Sequence, residues 1–164
     1  MRTLPLKHND MFNSKYYFFS LFFFSQLAIA QSLPINFESG ISNSDFEDFA
    51  GGTASIVANP LNDASNPSPT VARIVRNGGE IWAGSKIALN NLLDFSTEST
   101  LTMKVYSTAP IGTIVKFKLE GNGQMERDVP TTKTGEWETM TWDFTGAPLE
   151  YTDLVFMFDF GNIG

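Results

Sequence analysis

The sequence contains no cysteine and only one histidine, His8. Without cysteine the fold has no disulfide bond, so its stability must come from core packing, with or without a bound ion. A thiol nucleophile is excluded for the same reason. His8 lies in a segment that we expect to be removed, as argued next, and the remaining chain then cannot form a histidine-based catalytic triad.

Long apolar runs are also scarce. The run over Tyr16–Ala28 is interrupted by polar residues and is shorter than the roughly 20 apolar residues that a membrane-spanning helix needs. It follows a lysine and precedes Ala28-Ile29-Ala30, a typical signal-peptidase site. We therefore predict a secretory signal peptide over residues 1–30, with Met11 as an alternative start. A membrane anchor is the alternative interpretation.

Positively charged residues are also few. The chain has 11 lysines and arginines against 18 aspartates and glutamates, which gives a net charge of −7. Signal cleavage takes this to −9, because three cations and one anion are lost: Arg2, Lys7, Lys15 and Asp10. Such an acidic domain would repel nucleic acid and anionic lipid, so we expect no nucleic-acid partner and no membrane insertion after cleavage.

What the chain does have is apolar alternation. From Glu138 to Phe144 the apolar residues Met140, Trp142 and Phe144 share one parity, which predicts a half-buried β-strand with these side chains in a core. Trp137 has the opposite parity. Either a bulge turns it inward, or it lies on the other face of the sheet.

Further short strands follow the same pattern, separated by turn signals. We predict them over residues 33–38, 53–58, 71–75, 80–89, 99–108, 113–120, 124–131 and 152–160. Asn77-Gly78 predicts a hairpin, whereas 39–52 and 59–70 are predicted loops. The fold class is therefore all-β, an antiparallel two-sheet β-sandwich of jelly-roll type. Because Leu154–Phe160 is apolar on both faces, it should have neighbouring strands on both sides, and we expect the domain 31–164 to lack its last strand.

Several segments in this order resemble a known family. They are LPINFE (33–38), GGTASIVANP (51–60), GGEIWAGSKIAL (78–89), LTMKVYS (101–107), VKFKLEG (115–121), WETMTWDF (137–144) and LVFMFDFGN (154–162). Together they resemble a non-catalytic β-sandwich of secreted marine Bacteroidetes proteins, often found beside family 16 (laminarinase-like) glycoside hydrolases. The resemblance implies a galactose-binding-like jelly roll that acts as a carbohydrate-binding module. The family's last strand carries paired aspartates, and this sequence stops before it.

A sugar site needs exposed aromatic rings for stacking and polar side chains for the hydroxyl groups. Trp82 follows a Gly-Gly turn, and the alternative role for it is to cover the edge of the sandwich. Tyr106 shares outward parity with Lys104, Lys116 and Lys118, which form either one polar row or a plain solvated face. The predicted carbohydrate-binding residues are Trp82, Trp137, Tyr106, Arg76, Asn77 and Glu80.

The resemblance also implies a structural calcium ion. Glu38 matches the family's N-terminal acidic position, and Asp48 lies nearby with Asp45 and Glu47. Calcium takes several oxygen ligands, so Glu38 and Asp48 are the candidate metal ligands. No D-x-D-x-D-G loop is present, and a solvated acidic loop is the alternative.

Catalysis finds little support in the sequence. The family 16 pattern E-[IL]-D-x-x-E is absent. Glu136 and Glu138 lie two residues apart, but glutamates so spaced on a strand also occur as ordinary surface charges. We therefore predict a non-enzymatic, secreted carbohydrate-binding module. It would target an appended glycoside hydrolase to a polysaccharide such as a β-glucan. The alternative is a ligand-free structural or adhesion sandwich domain of a larger cell-surface or secreted protein.

Overall fold

The structure is a computed structural model that describes residues 33–95, 97–148 and 150–164. The predicted signal peptide, residues 1–30, lies outside these ranges. A short 3₁₀ helix, Asn43–Asp45, precedes nine strands. The strands are β1 (Phe46–Phe49), β2 (Gly52–Ala58), β3 (Thr70–Arg76), β4 (Gly84–Ala88), β5 (Thr100–Tyr106), β6 (Ile114–Gly121), β7 (Gln124–Pro130), β8 (Trp137–Asp143) and β9 (Tyr151–Phe158).

All strand pairs are antiparallel. Five strands form one sheet in the order β1-β4-β9-β6-β7, while β2 pairs with β3 and β5 pairs with β8. Buried residues of β5 and β8 pack against those of β4, β6 and β9 in a single core. The predicted all-β antiparallel sandwich is thereby confirmed.

Strand β8 fills the core as its alternation predicts. Met140, Trp142 and Phe144 are buried, and Trp142 has no exposed surface. Its ring meets Phe117 edge to face at 5.3 Å between centroids, and its Nε1 donates a hydrogen bond to the carbonyl oxygen of Val115 at 3.2 Å. The assignment of Trp142 to the core is confirmed.

Strand β9 lies at the centre of the five-stranded sheet, between β4 and β6. Leu154 and Phe156 face the core, while Val155 and Met157 are buried on the opposite face. The prediction of a central strand is confirmed. Both edges of β9 are hydrogen-bonded, to β4 on one side and to β6 on the other, so β9 does not lie at an open edge of the sheet.

Residues 33–52 differ from the sequence prediction. Residues 33–38 form no strand. Phe37 instead stacks on Phe46 with ring centroids 6.3 Å apart, and Thr70 Oγ1 donates to its carbonyl oxygen at 2.6 Å. Partial burial against the core, rather than pairing, accounts for the apolar alternation there. Conversely, the predicted loop 39–52 contains the 3₁₀ helix and β1.

One predicted strand pairing is wrong, and one of the two interpretations given for Tyr106 and its neighbouring lysines does not hold. The turn at Asn77-Gly78 leads from β3 to β4, which belong to different sheets and do not form a hairpin. Gly79 is required there because a side chain would collide with the carbonyl oxygen of Ala50. Similarly, β5 and β6 pair with other strands. Tyr106 and Lys104 therefore do not share a row with Lys116 and Lys118.

Candidate functional site

A groove of about 410 Å³ lies on the face of the five-stranded sheet that points away from the core. All five strands contribute side chains to it, and Trp82 and Phe160 join from the segments next to β4 and β9. The strand residues that line the groove are Glu47, Phe49, Lys86, Lys118, Glu120, Glu126, Val155 and Met157.

One row of the groove runs straight across the sheet and is symmetric in its chemistry. Strand register places Glu47, Lys86, Val155, Lys118 and Glu126 side by side on β1, β4, β9, β6 and β7. The order is acid, base, apolar, base, acid. Because side chains alternate between faces with period two, all five point to the groove side of the sheet.

The floor of the groove is apolar. Val155 is 2% exposed and Met157 is 4% exposed, although both lie on the outer face of the sheet. Val155 is flanked by Lys86 and Lys118, whose side chains are only 26% and 20% exposed. Lysine can lay its aliphatic stem along apolar surface while its ammonium group reaches water, which explains how the floor is covered from both sides.

The aromatic part of the groove is formed by Trp82 and Phe49. Trp82 is 48% exposed, and its ring stacks on Phe49 with centroids 6.2 Å apart and 17° between the planes. Backbone hydrogen bonds fix the turn that carries it, from Ala83 to Glu80 at 3.0 Å and from Gly161 to Ile81 at 3.0 Å. Trp82 therefore presents a supported aromatic surface to solvent.

Arg76 holds this turn to the segment after β9. Its Nη1 donates to the carbonyl oxygens of Phe158 and Asp159 at 2.7 and 3.0 Å, and its Nη2 donates to those of Glu80 and Asn162 at 2.8 and 2.6 Å. Both terminal nitrogens of the predicted sugar-binding Arg76 are thus used within the protein. Its observed role is to position the turn that bears Trp82.

Ion pairs surround the groove floor. Lys86 contacts Glu47 at 3.3 Å, and Lys118 contacts Glu120 at 2.7 Å. Lys116, with a side chain 7% exposed, contacts both Glu126 at 3.0 Å and Asp128 at 2.9 Å.

The surroundings of Lys116 also set its protonation. Burial by itself lowers the pKa of the ammonium group, but hydrogen bonds and charge attraction from Asp128 and Glu126 outweigh burial and raise the pKa above its ordinary value. The Nζ atom lies 4.2 Å from the ring centroid of Phe160, a cation–π contact at the border of the groove. Lys116 is thus a fixed positive charge beside the floor.

Trp137 and Tyr106 lie on the outer side of the other layer, away from the groove. Their rings are 5.6 Å apart, and Trp137 is 7% exposed because the loop 59–70 covers it. Trp137 Nε1 donates to the carbonyl oxygen of Leu61 at 2.7 Å, and Lys104 Nζ donates to that of Ser65. In this arrangement Trp137 offers no free ring face, and its register in β8 is regular, without a bulge.

Asn77 and Glu80 are exposed beside the Trp82 turn but do not line the groove. Their backbone N–H groups donate to the carbonyl oxygens of Gly51 and Ala50 at 3.1 and 2.9 Å. Of the six predicted sugar-binding residues, only Trp82 is in the groove lining.

Most of the groove residues were not candidates from the sequence. Lys118 was noted as outward-facing, but its partners Glu47, Lys86 and Glu126 come from strands whose pairing the sequence did not reveal. The available signal was in β9, where Val155 and Met157 make the outward face apolar. An apolar outward face on a central strand indicates that something covers it or binds to it.

The predicted calcium ligands have other partners. Glu38 Oε1 accepts a hydrogen bond from Ser68 Oγ at 2.7 Å, and Asp48 Oδ1 accepts from Ala54 N at 2.9 Å and Ser85 Oγ at 2.6 Å. Nowhere in residues 33–95, 97–148 and 150–164 do three acidic or histidine side chains form a group suited to a metal ion. Calcium takes several oxygen ligands together, whereas Glu38 and Asp48 each bond to different partners in this structure.

No protein-family profile, curated protein or solved structure matches this chain. Among the described residues, no helix is both long enough and apolar enough to cross a membrane. The function therefore has to be argued from the groove itself.

Proposed function

We propose that this chain is a secreted, non-catalytic carbohydrate-binding module, which binds a polysaccharide such as a β-glucan in the groove. The observation that carries the proposal is Trp82, half exposed and stacked on Phe49 at a groove that also holds lysines and carboxylates. In a larger protein, such a module would raise the local concentration of an appended glycoside hydrolase at its substrate.

The chemistry of the groove supports a sugar ligand. The C–H face of a sugar ring is weakly apolar and stacks on an aromatic ring such as Trp82. The ammonium groups of Lys86 and Lys118 can donate hydrogen bonds to hydroxyl oxygens, and the carboxylates of Glu47 and Glu120 can accept them from hydroxyl groups. A volume of about 410 Å³ is within the usual range for small-ligand sites.

Two glutamates that could suggest glycosidase chemistry serve local structure instead. The carboxylate of Glu138 accepts hydrogen bonds from the backbone N–H groups of Thr132 and Lys133, and Glu136 pairs with Lys133 at 3.4 Å. Neither residue lines the groove. This supports a binding role rather than hydrolysis for the proposed module.

Affinity gel electrophoresis tests the proposal. Migration of the wild-type domain should be retarded by laminarin, agarose, xylan or another immobilised polysaccharide, and Trp82→Ala should abolish most of the retardation. Ile81→Ala is the matched control, because Ile81 is 45% exposed in the same turn but does not line the groove. Unretarded migration of a folded wild-type domain in every gel would contradict the proposal.

A ligand-free structural or adhesion domain is the second candidate. The observation in its favour is the burial of Trp137, which removes one of the three predicted aromatic contacts from the surface that a sugar could reach, while Tyr106 is half-buried against its ring. Under this alternative, Trp82 covers the edge of the sandwich. Trp82→Ala would then lower the melting temperature clearly and change retardation in no gel.

A further inference from the structure

We propose that the groove binds a neutral polysaccharide lying across the strands, and that two lysine–carboxylate pairs on either side of Val155 each contact one vicinal diol of the chain. This inference rests on the proposed carbohydrate-binding function and adds the class of sugar and the direction of the chain. The two pairs are Lys86 with Glu47 and Lys118 with Glu120.

The direction of the bound sugar chain relative to the strands follows from strand register. Lys86 on β4 and Lys118 on β6 lie opposite the same residue of β9, Val155, in one row. Neighbouring strands are about 4.8 Å apart, so the two lysine backbones are about 10 Å apart. A sugar chain running across the strands would therefore place different units at the two lysines, with the apolar floor beneath the chain between them.

Each pair has the functional groups that a vicinal diol requires. One hydroxyl oxygen can accept a hydrogen bond from the ammonium group of Lys86, and the neighbouring hydroxyl group can donate to Glu47. The pair of Lys118 and Glu120 offers the same hydrogen-bond donor and acceptor on the other side of Val155. A lysine has three N–H donors, so each can keep its carboxylate partner and still bind a hydroxyl group.

The charge of the groove argues against a polyanion. The groove is lined by two lysines, Lys86 and Lys118, and by three carboxylates, Glu47, Glu120 and Glu126, and both lysines are already paired. A uronate or sulfate group bound to either lysine would lie beside the carboxylate that already pairs with that lysine and would be repelled by it. The chain as a whole carries a net charge of −7, which adds long-range repulsion of any polyanion.

Calorimetric titration tests the inference with cello-oligosaccharides, as the neutral ligand whose 1,4-linked units each keep a free 2,3-diol, and with alginate oligosaccharides, as the anionic one. We expect measurable binding only to the neutral series, with affinity rising from the monosaccharide to chains that reach both lysines. Lys86→Met and Lys118→Met should each weaken binding of the longer chains about tenfold, the equivalent of about 1.4 kcal/mol. Lys104→Met is the matched control, because Lys104 lies on the other layer and bonds to the Ser65 carbonyl.

The outcomes separate this inference from the proposed function. Binding of alginate but not of neutral sugars would overturn the inference while leaving carbohydrate binding in place. Equal affinity for the monosaccharide and longer chains, or full binding by folded Lys86→Met and Lys118→Met variants, would also overturn it. If no polysaccharide at all binds a folded wild-type domain, the proposed function fails, and the inference fails with it.

Discussion

Two tryptophans on outer faces of the sandwich have opposite environments. Trp82 stacks on Phe49 and keeps about half of its surface in solvent, whereas Trp137 pairs with Tyr106 beneath the loop 59–70 and is 7% exposed. Both have an aromatic partner, so pairing does not explain the difference. The difference comes from a covering loop, which supplies the Leu61 carbonyl to the indole N–H of Trp137.

The comparison shows that strand parity determines which face a side chain occupies but not whether that face meets water. On the groove side no loop covers Trp82, and the floor at Val155 is covered only by neighbouring side chains such as the stems of Lys86 and Lys118. On the other side, a loop without regular structure covers the surface. The predictions that follow test this contrast by the free energy of unfolding, from the largest expected effect to the smallest.

The largest loss of stability is expected from a change at Trp142, because this residue is fully buried between the two layers. Trp142→Ala removes its contact with Phe117 and leaves a cavity, so we expect a loss of about 3–5 kcal/mol in the free energy of unfolding. Urea denaturation followed by circular dichroism would measure the loss. A change below about 1 kcal/mol would contradict the placement of Trp142 in the core.

Trp137→Ala should be the next most damaging change. Loss of a buried ring and of its hydrogen bond to Leu61 should cost about 2–4 kcal/mol, without weakening retention on polysaccharide gels. Trp82→Ala should show the reverse pattern, with a small stability change and lost retention. If Trp137→Ala leaves the melting temperature unchanged and abolishes retention, the roles assigned to the two tryptophans are exchanged.

Asn59 tests the covering loop directly. Its Nδ2 donates to the carbonyl oxygens of Asn66 and Ser68, and its Oδ1 accepts from Leu61 N, all within 2.8–2.9 Å. Asn59→Ala should cost about 1–3 kcal/mol and make Trp137 fluorescence easier to quench with acrylamide. The exposed Asn62, whose bonds are longer at 3.2–3.3 Å, is the control, and Asn62→Ala should have the smaller effect on both readings.

The smallest expected effect is on how the free energy of unfolding depends on pH in the alkaline range, through Lys116 beside the groove. The folded pKa of Lys116 lies above the ordinary value of 10.5. Its ion pairs therefore stabilise the fold fully below pH 10.5, and that contribution is lost as the pH rises through the raised pKa. Unfolding free energies measured across this range should fall less steeply for Lys116→Met than for Lys104→Met. Equal slopes for both variants would contradict the raised pKa of Lys116 and its contribution to stability.

Most strand positions, apart from those in residues 33–52, and the core residues of β8 followed from the sequence, because period-two alternation is a local property. Alternation of this kind predicted that Met140, Trp142 and Phe144 face the core. The apolar residues on both faces of β9 likewise predicted its central place in a sheet. Sheet membership did not follow, because pairing is decided by contacts between residues far apart in the chain. The turn at Asn77-Gly78 has the local chemistry of a hairpin, yet the next residue, Gly79, accommodates the backbone of Ala50 as the chain passes between layers.

The candidate site was predictable only where a single residue carried the signal. Trp82 stood out because a tryptophan next to a Gly-Gly turn suits a surface position. Lys86, Lys118 and Glu47 became a row only through register across three sheet pairings. Arg76 is a predicted sugar contact because it is a polar residue close to Trp82 in the sequence. Its four carbonyl partners come from segments that the sequence alone does not bring together.

The four hydrogen bonds of Arg76 also have a consequence for the order of folding. Three of the carbonyls that it binds lie 82 to 86 residues further along the chain. Closing so long a loop is slow, and a ribosome delivers the residues around Arg76 well before those partners. We therefore expect the turn that bears Trp82 to settle only after β9 has docked, which would make the groove one of the last parts of the nascent domain to form.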